Sequence, residues 1–136
     1  MSTVINAENR VLGRLASEIA RKAQDGESIR VVNSEKAVIS GDTEEVISDY
    51  RQKYERGSKY TGPHFPKRPD KILKRTVRGM LPDNKDFDVK AYLTVPHEFD
   101  EVEEVDVKSG DELHNRNYVK LGDVSKAIGW TPSGDL

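Results

Sequence analysis

Lys71, Lys74, Arg75 and Arg78 recur at i, i+3, i+4 and i+7, the spacing that gathers side chains on one face of an α-helix. Four cations in one arc, with no acidic residue among them, suit a polyanion. Each ammonium or guanidinium can displace counterions condensed on a phosphate backbone. Without a partner the same face costs a few tenths of a kcal/mol per close like-charged pair, a cost that bound phosphates remove. Ile72, Leu73, Thr76, Val77 and Met80 fall on the opposite arc, so this helix also has an apolar side to anchor it. A charged stripe is ordinarily a solvated face, but a solvated face mixes signs and this one does not. The preceding loop adds His64, Lys67 and Arg68 with Tyr60 and Phe65 interleaved, and Arg51, Lys53, Arg56 and Lys59 lie upstream. Cations beside exposed aromatics favour RNA, because unpaired bases can stack on the rings while Lys and Arg hold the backbone. Phe65 is equally suited to packing under the loop, and Arg14 to an RNA contact or to a salt bridge within its own helix.

The charge is sorted along the chain. Residues 51–82 hold ten Lys/Arg against two acidic residues, a surplus of +8, although the 136 residues together net −2. Residues 1–50 therefore carry −3 and residues 83–136 carry −7. One part of the molecule is built to meet a polyanion and the rest is not.

Other chemistries find little support. With no cysteine there is no disulfide framework, thiolate metal site or cysteine nucleophile. His64, His97 and His114 are far apart, with no i, i+4 pairing and no H-E-x-x-H, so no metal is expected. There is no G-x-G-x-x-G, no G-x-x-x-x-G-K-[ST] and no G-x-S-x-G, and Asp42 would repel a phosphate at the helix start it occupies. No cofactor, catalytic residue or small-molecule substrate is expected. No apolar run approaches the ~18 residues of a membrane span, and the N-terminus lacks a signal core. A cytoplasmic location without membrane contact follows as an expectation.

The elements that must position the basic surface read as α/β. Thr3–Asn6, Ile29–Asn33, Ala37–Ser40 and Val89–Val95 are strand-like. Leu12, Leu15, Ala16, Ile19, Ala20 and Ala23 form a helical stripe that ends near Gly26. Asp42, with Glu45 three positions on, opens a helix carrying Val46, Ile47, Tyr50 and Tyr54 on one side, with Gly57 placed to end it. The basic helix is predicted over residues 70–81. Tyr118–Leu121 reads as a short extended piece, and Val124, Ala127 and Ile128 as a small closing helix. The strand–helix–strand opening favours a largely parallel sheet with a right-handed crossover. A single domain spanning residues 1–136 is expected, with the basic segment 51–82 and an acidic excursion over residues 97–117 that holds eight acidic residues.

Four stretches together resemble the large-subunit ribosomal protein thirteen family in its archaeal form. They are Val11-Leu12-Gly13-Arg14-Leu15-Ala16-Ser17, Ile39-Ser40-Gly41, His64-Phe65-Pro66-Lys67-Arg68-Pro69-Asp70 and Arg75-Thr76-Val77-Arg78-Gly79-Met80-Leu81-Pro82. The likeness runs in order over residues 3–95 and more weakly over residues 121–130. It implies a three-layer α/β/α sandwich around a small, mostly parallel four-stranded sheet. It also implies a non-catalytic constituent of the large ribosomal subunit that binds large-subunit ribosomal RNA, meets neighbouring ribosomal proteins and supports subunit assembly. A free RNA-binding translational regulator and an α/β nucleotide-binding enzyme are the alternatives. The chain departs from the family pattern in three places. Asp83-Asn84-Lys85-Asp86-Phe87-Asp88 replaces a basic, Gly-containing stretch, Leu93-Thr94 stands where a Gly usually follows the strand tyrosine, and the flanks are acidic. Acidic flanks are what a salt-rich cytoplasm would require for solubility.

Overall fold

The computed structural model describes residues 2–55, 66–82, 86–96 and 117–131. Strand β1 (Ser2–Asn6), helix α1 (Leu12–Gln24) and strand β2 (Ser28–Val32) come first. The two strands pair in parallel, with Ile5 beside Val31, and α1 is the crossover such pairing requires. Its stripe of Leu12, Leu15, Ala16, Ile19, Ala20 and Ala23 is buried throughout. The helix stops in a Schellman motif. Gly26, at φ +95°, donates its N–H to the Ala23 carbonyl at 3.0 Å, and the Glu27 N–H reaches the Lys22 carbonyl at 3.2 Å.

Helix α3 (Pro69–Arg78) and strand β4 (Val89–Ala91) complete this half of the molecule. β4 pairs in parallel with the free side of β2, giving the order β1-β2-β4. Because side chains alternate across a strand, Ile5, Ile29, Val31 and Val89 point to one face, where they meet the apolar residues of α1 and of α3 in a single core. The apolar stripe predicted for the basic helix is thus what fixes it to the sheet.

The mixed α/β architecture with a small, mostly parallel sheet matches the expectation, but the strand count needs correcting. Strand β3 (Val38–Ser40) does not enter the parallel sheet as a fourth member. It pairs antiparallel with β5 (Tyr118–Lys120), and an isolated parallel bridge joins Val11 to Val38. Two physical causes act here. Both edges of β2 are already taken by β1 and β4. In addition, the five residues from Asn33 to Ala37 are far fewer than the dozen or so that a parallel crossover needs. The chain turns instead at Asn33, in the left-handed region at φ +58°, and runs through a 3-10 turn at Ser34–Lys36.

Helix α2 (Thr43–Glu55) and helix α4 (Leu121–Ala127) gather on the β3–β5 pair. Val46, Val119 and Val124 make a second, smaller core there, with Ile39, Ile47 and Tyr50 packed against it. The first turn of α4 lies directly on the 3-10 turn. A Cβ at Gly122 would come within 3.0 Å of the Glu35 carbonyl oxygen, so glycine permits this approach. Asp42, at the start of α2, accepts a hydrogen bond from the Asn117 amide at 2.6 Å and so ties α2 to the segment leading into β5.

β4 is shorter than the predicted Val89–Val95. Tyr92 still donates to the Val31 carbonyl at 2.7 Å, but Thr94 turns away at φ +51°. The Glu35 carboxylate accepts the Thr94 N–H at 3.1 and 3.2 Å, and the Thr94 carbonyl accepts the Asn33 N–H at 2.9 Å. A β-branched residue is therefore held in the left-handed region by the bonds around it. Gly57, the side chain of Tyr54 and residues 97–116 of the expected excursion over 97–117 lie outside the described residues.

Candidate nucleic-acid interface

α3 owes its start to Pro69, whose ring fixes φ at a helical value and whose missing N–H is not needed in the first turn. From there its two faces separate as their periodicity requires. Ile72, Leu73 and Val77 are at most 1% exposed, whereas Lys71, Lys74, Arg75 and Arg78 all face solvent. Thr76 sits between the two faces and returns its hydroxyl to the Ile72 carbonyl at 3.0 Å. Arg68 and Asp70 form an ion pair at 3.1 Å beside the helix start. This pair engages the one acidic residue that α3 itself carries.

The helix ends earlier than residue 81. Met80 and Leu81 donate to the Val77 and Arg78 carbonyls at 2.9 and 3.2 Å, which tightens the chain into a turn after Arg78. Met80, expected on the buried arc, swings out and is 42% exposed. Beyond the turn, Lys74, Arg78, Leu81, Pro82, Asp86 and Phe87 border a groove of about 310 Å³. Asp86 places a carboxylate among the residues that line that groove.

The other predicted basic residues are placed less uniformly. Lys67 lies across the end of α4, where a Cβ on Gly129 would meet its Nζ at 3.4 Å. Arg51 donates to the Ala127 carbonyl at 3.2 Å, which binds the last turn of α4 to α2. Lys53 stands 4.8 Å above the Tyr50 ring as a cation–π pair. Burial, and then the charge of Asp49, raise the Tyr50 hydroxyl pKa above its ordinary value, so that the ring stays neutral beneath the ammonium. Arg14 is exposed on α1, and no ion pair among the described residues includes it. The expectations for Arg56, Lys59, Tyr60, His64 and Phe65 fall outside the described residues, as do those for His97 and His114.

A second concavity, of about 630 Å³, was not anticipated. Arg10, Lys36, Lys120 and Tyr118 line it together with Asn6 and Glu8. These residues are scattered along the chain and meet only through strand pairing. Among the described residues no cluster of His, Asp and Glu is suited to a metal ion, and no helix is long and apolar enough to cross a membrane.

Comparison with known proteins agrees with the residue pattern. The family model described as Ribosomal protein L13 matches residues 1–94. A large ribosomal subunit protein uL13 from Methanosarcina barkeri is 45% identical over 136 residues, covering 93% of this chain and 97% of the relative. Its namesake from Natronomonas pharaonis is 46% identical, covering 93% of this chain and 90% of that protein. A third, from Archaeoglobus fulgidus, is 42% identical over 94% of this chain and 88% of its own length. With a helix that anchors by one face and offers cations on the other, and with relatives that match it over nearly its whole length, this chain belongs to the ribosomal protein L13 family.

Proposed function

We propose that this chain is a structural constituent of the large ribosomal subunit in the cytoplasm, and that it holds large-subunit ribosomal RNA through the exposed face of α3. The observation that carries the reading is the division of α3 itself, with Ile72, Leu73 and Val77 locked in the core while Lys71, Lys74, Arg75 and Arg78 stand in solvent. A helix fixed on one side presents its charges without ordering itself at the moment of binding, which lowers the entropic cost of association. Lys67 and Arg68 extend this surface at the helix start, and the proposed RNA contacts include Arg56, Lys59, Tyr60 and His64 from the basic stretch of the sequence that precedes it. Arg51 and Lys53 add charge from α2, although their heads also hold the fold together. The role is one of architecture and assembly, without substrate or turnover, and the remaining surface meets neighbouring ribosomal proteins.

Co-sedimentation tests this reading. The native protein should travel with large subunits and resist a moderate salt wash, whereas a free RNA-binding regulator would stay in the soluble fraction. If about five to eight phosphates are neutralised, log affinity for a large-subunit RNA transcript should fall against log salt with a slope of roughly −4 to −7. A slope near zero rules out the electrostatic mechanism.

A further inference from the structure

The second concavity lies at the opposite end of the sheet from the groove beside Arg78. It includes Asn6, the last residue of β1, whereas the groove is lined by Val89, the first residue of the parallel strand β4. Three distant segments build it: the β1–α1 connection, the 3-10 turn, and β5. Burial along β5 alternates, with Val119 turned into the second core and Tyr118 and Lys120 turned outward. The antiparallel register sets Tyr118 beside Ser40 and Lys120 beside Val38, so the ring and the ammonium share one face. Tyr118 keeps 41% of its surface in solvent, which is unusual for a large aromatic in a strand pair with its own core.

The rim is preformed. The Arg10 carbonyl accepts the Val38 N–H at 2.9 Å, and the Asn9 N–H donates to the Lys36 carbonyl at 2.9 Å, with Asn9 in the left-handed region at φ +59°. Asn6 Oδ1 accepts both the Asn33 side-chain amide at 2.9 Å and the Glu8 N–H at 3.0 Å. Among the described residues, Arg10, Lys36 and Lys120 thus line a common space with one carboxylate, Glu8, which sits 3.5 Å from Lys36. Both partners of that pair are about half exposed, and solvent weakens their attraction. A local surplus of positive charge therefore stands in a chain that nets −2, next to an exposed ring.

We infer that this concavity is a second RNA contact that takes one unpaired nucleotide, with its phosphate among Lys120, Arg10 and Lys36 and its base on the Tyr118 ring. The inference rests on the reading that the chain binds RNA, and it adds a site at the other end of the sheet from the last turn of α3. Duplexed bases could not reach the ring, so the contact selects for a single-stranded or bulged segment. Held at both ends of its sheet, the protein would bridge two RNA segments.

The test uses the full chain and a thiouridine-substituted oligouridylate. Photocrosslinking should map to Tyr118 or its strand neighbours. Lys120→Ala should weaken binding about five- to tenfold and make the salt slope shallower by about 0.7. Tyr118→Leu should weaken it about tenfold with the slope unchanged, while Tyr118→Phe keeps wild-type affinity because a ring remains. A matched RNA duplex should not crosslink there. The triple variant Lys71→Ala, Lys74→Ala, Arg78→Ala is measured alongside. If only that variant loses affinity, the second contact is overturned and the α3 reading stands. If none of the variants loses affinity, both fail. If free uridine monophosphate competes as well as the strand does, the concavity is a mononucleotide pocket and the RNA assignment is overturned.

Discussion

Helices α2 and α3 both draw cations from the same basic stretch, and they use them in different ways. On α3 the anchoring apolar side is buried, and Lys71, Lys74, Arg75 and Arg78 are exposed on a one-sided surface. On α2 the cations help to hold the fold. Arg51 reaches the Ala127 carbonyl at the end of α4, where the helix dipole favours a positive charge, and Lys53 covers the Tyr50 ring. A net charge of +8 over residues 51–82 therefore overstates what is available to a partner. What matters is whether a helix has another means of attachment. α3 has three residues that are essentially fully buried, whereas the larger part of α2's packing is a small cluster around Val46.

The sharpest way to break this contrast is to remove the anchor of α3. Leu73→Ala deletes a fully buried side chain in the main core and should cost about 3 kcal/mol by chemical denaturation, in the usual range for such truncations. RNA affinity should fall with it, because the stripe loses its platform. A variant that lost affinity without losing stability would show that the apolar face has a direct role in contact. The complementary change leaves the anchor and removes the charges. Lys71→Ala, Lys74→Ala, Arg78→Ala should leave the melting temperature within error and lower RNA affinity about a hundredfold at moderate salt, with a slope shallower by about 2 to 3. An unchanged slope would mean that these side chains do not meet phosphates.

How much of this could be read beforehand depended on the range of the interaction. The stripes of α1 and α3 follow from a 3.6-residue period, which is local, and the Gly26 stop follows from the left-handed φ that a Schellman motif needs. The partner of β3 was not legible, because it depends on which edges of β2 are already occupied. Nor was the commitment of Arg51, whose acceptor lies 76 residues further along the chain. Arg10, Lys36, Tyr118 and Lys120 are illegible as a group for the same reason. Each is an isolated residue until β3 and β5 pair. Met80 fits the helical period, yet the chain leaves the helix two residues before it, so periodicity misplaced it.

A smaller effect tests the α2 side. Arg51→Ala removes one charge-assisted bond at a solvent-exposed helix end and should lower stability by about 1 kcal/mol. Its effect on the salt slope of RNA binding should be less than that of any single stripe residue. The opposite ranking, with stability intact and a slope shallower by a full unit, would place Arg51 with α3 and erase the distinction between the helices.

The weakest expected effect separates a cation held within the fold from those of the exposed stripe by the variable each obeys. Arg30 donates to both oxygens of Asp88, at 2.9 and 3.1 Å, and joins the middle of β2 to the residue before β4. These bonds, and then one from Ser28, hold the Asp88 carboxyl below its ordinary value, with desolvation opposing them. As pH falls, the unfolded chain takes up this proton first while the folded chain still excludes it. The stabilisation is therefore complete above the unfolded value and disappears as pH drops through the lower folded one. Between about pH 5 and pH 2 the wild type should lose more stability than Asp88→Asn, which has no carboxylate to protonate. Because the Asp88 carboxylate is about half exposed, the difference should be slight and should shrink further in salt. Parallel acid limbs for the two proteins would show that Arg30, for all its geometry, is held no more tightly than the cations of α3.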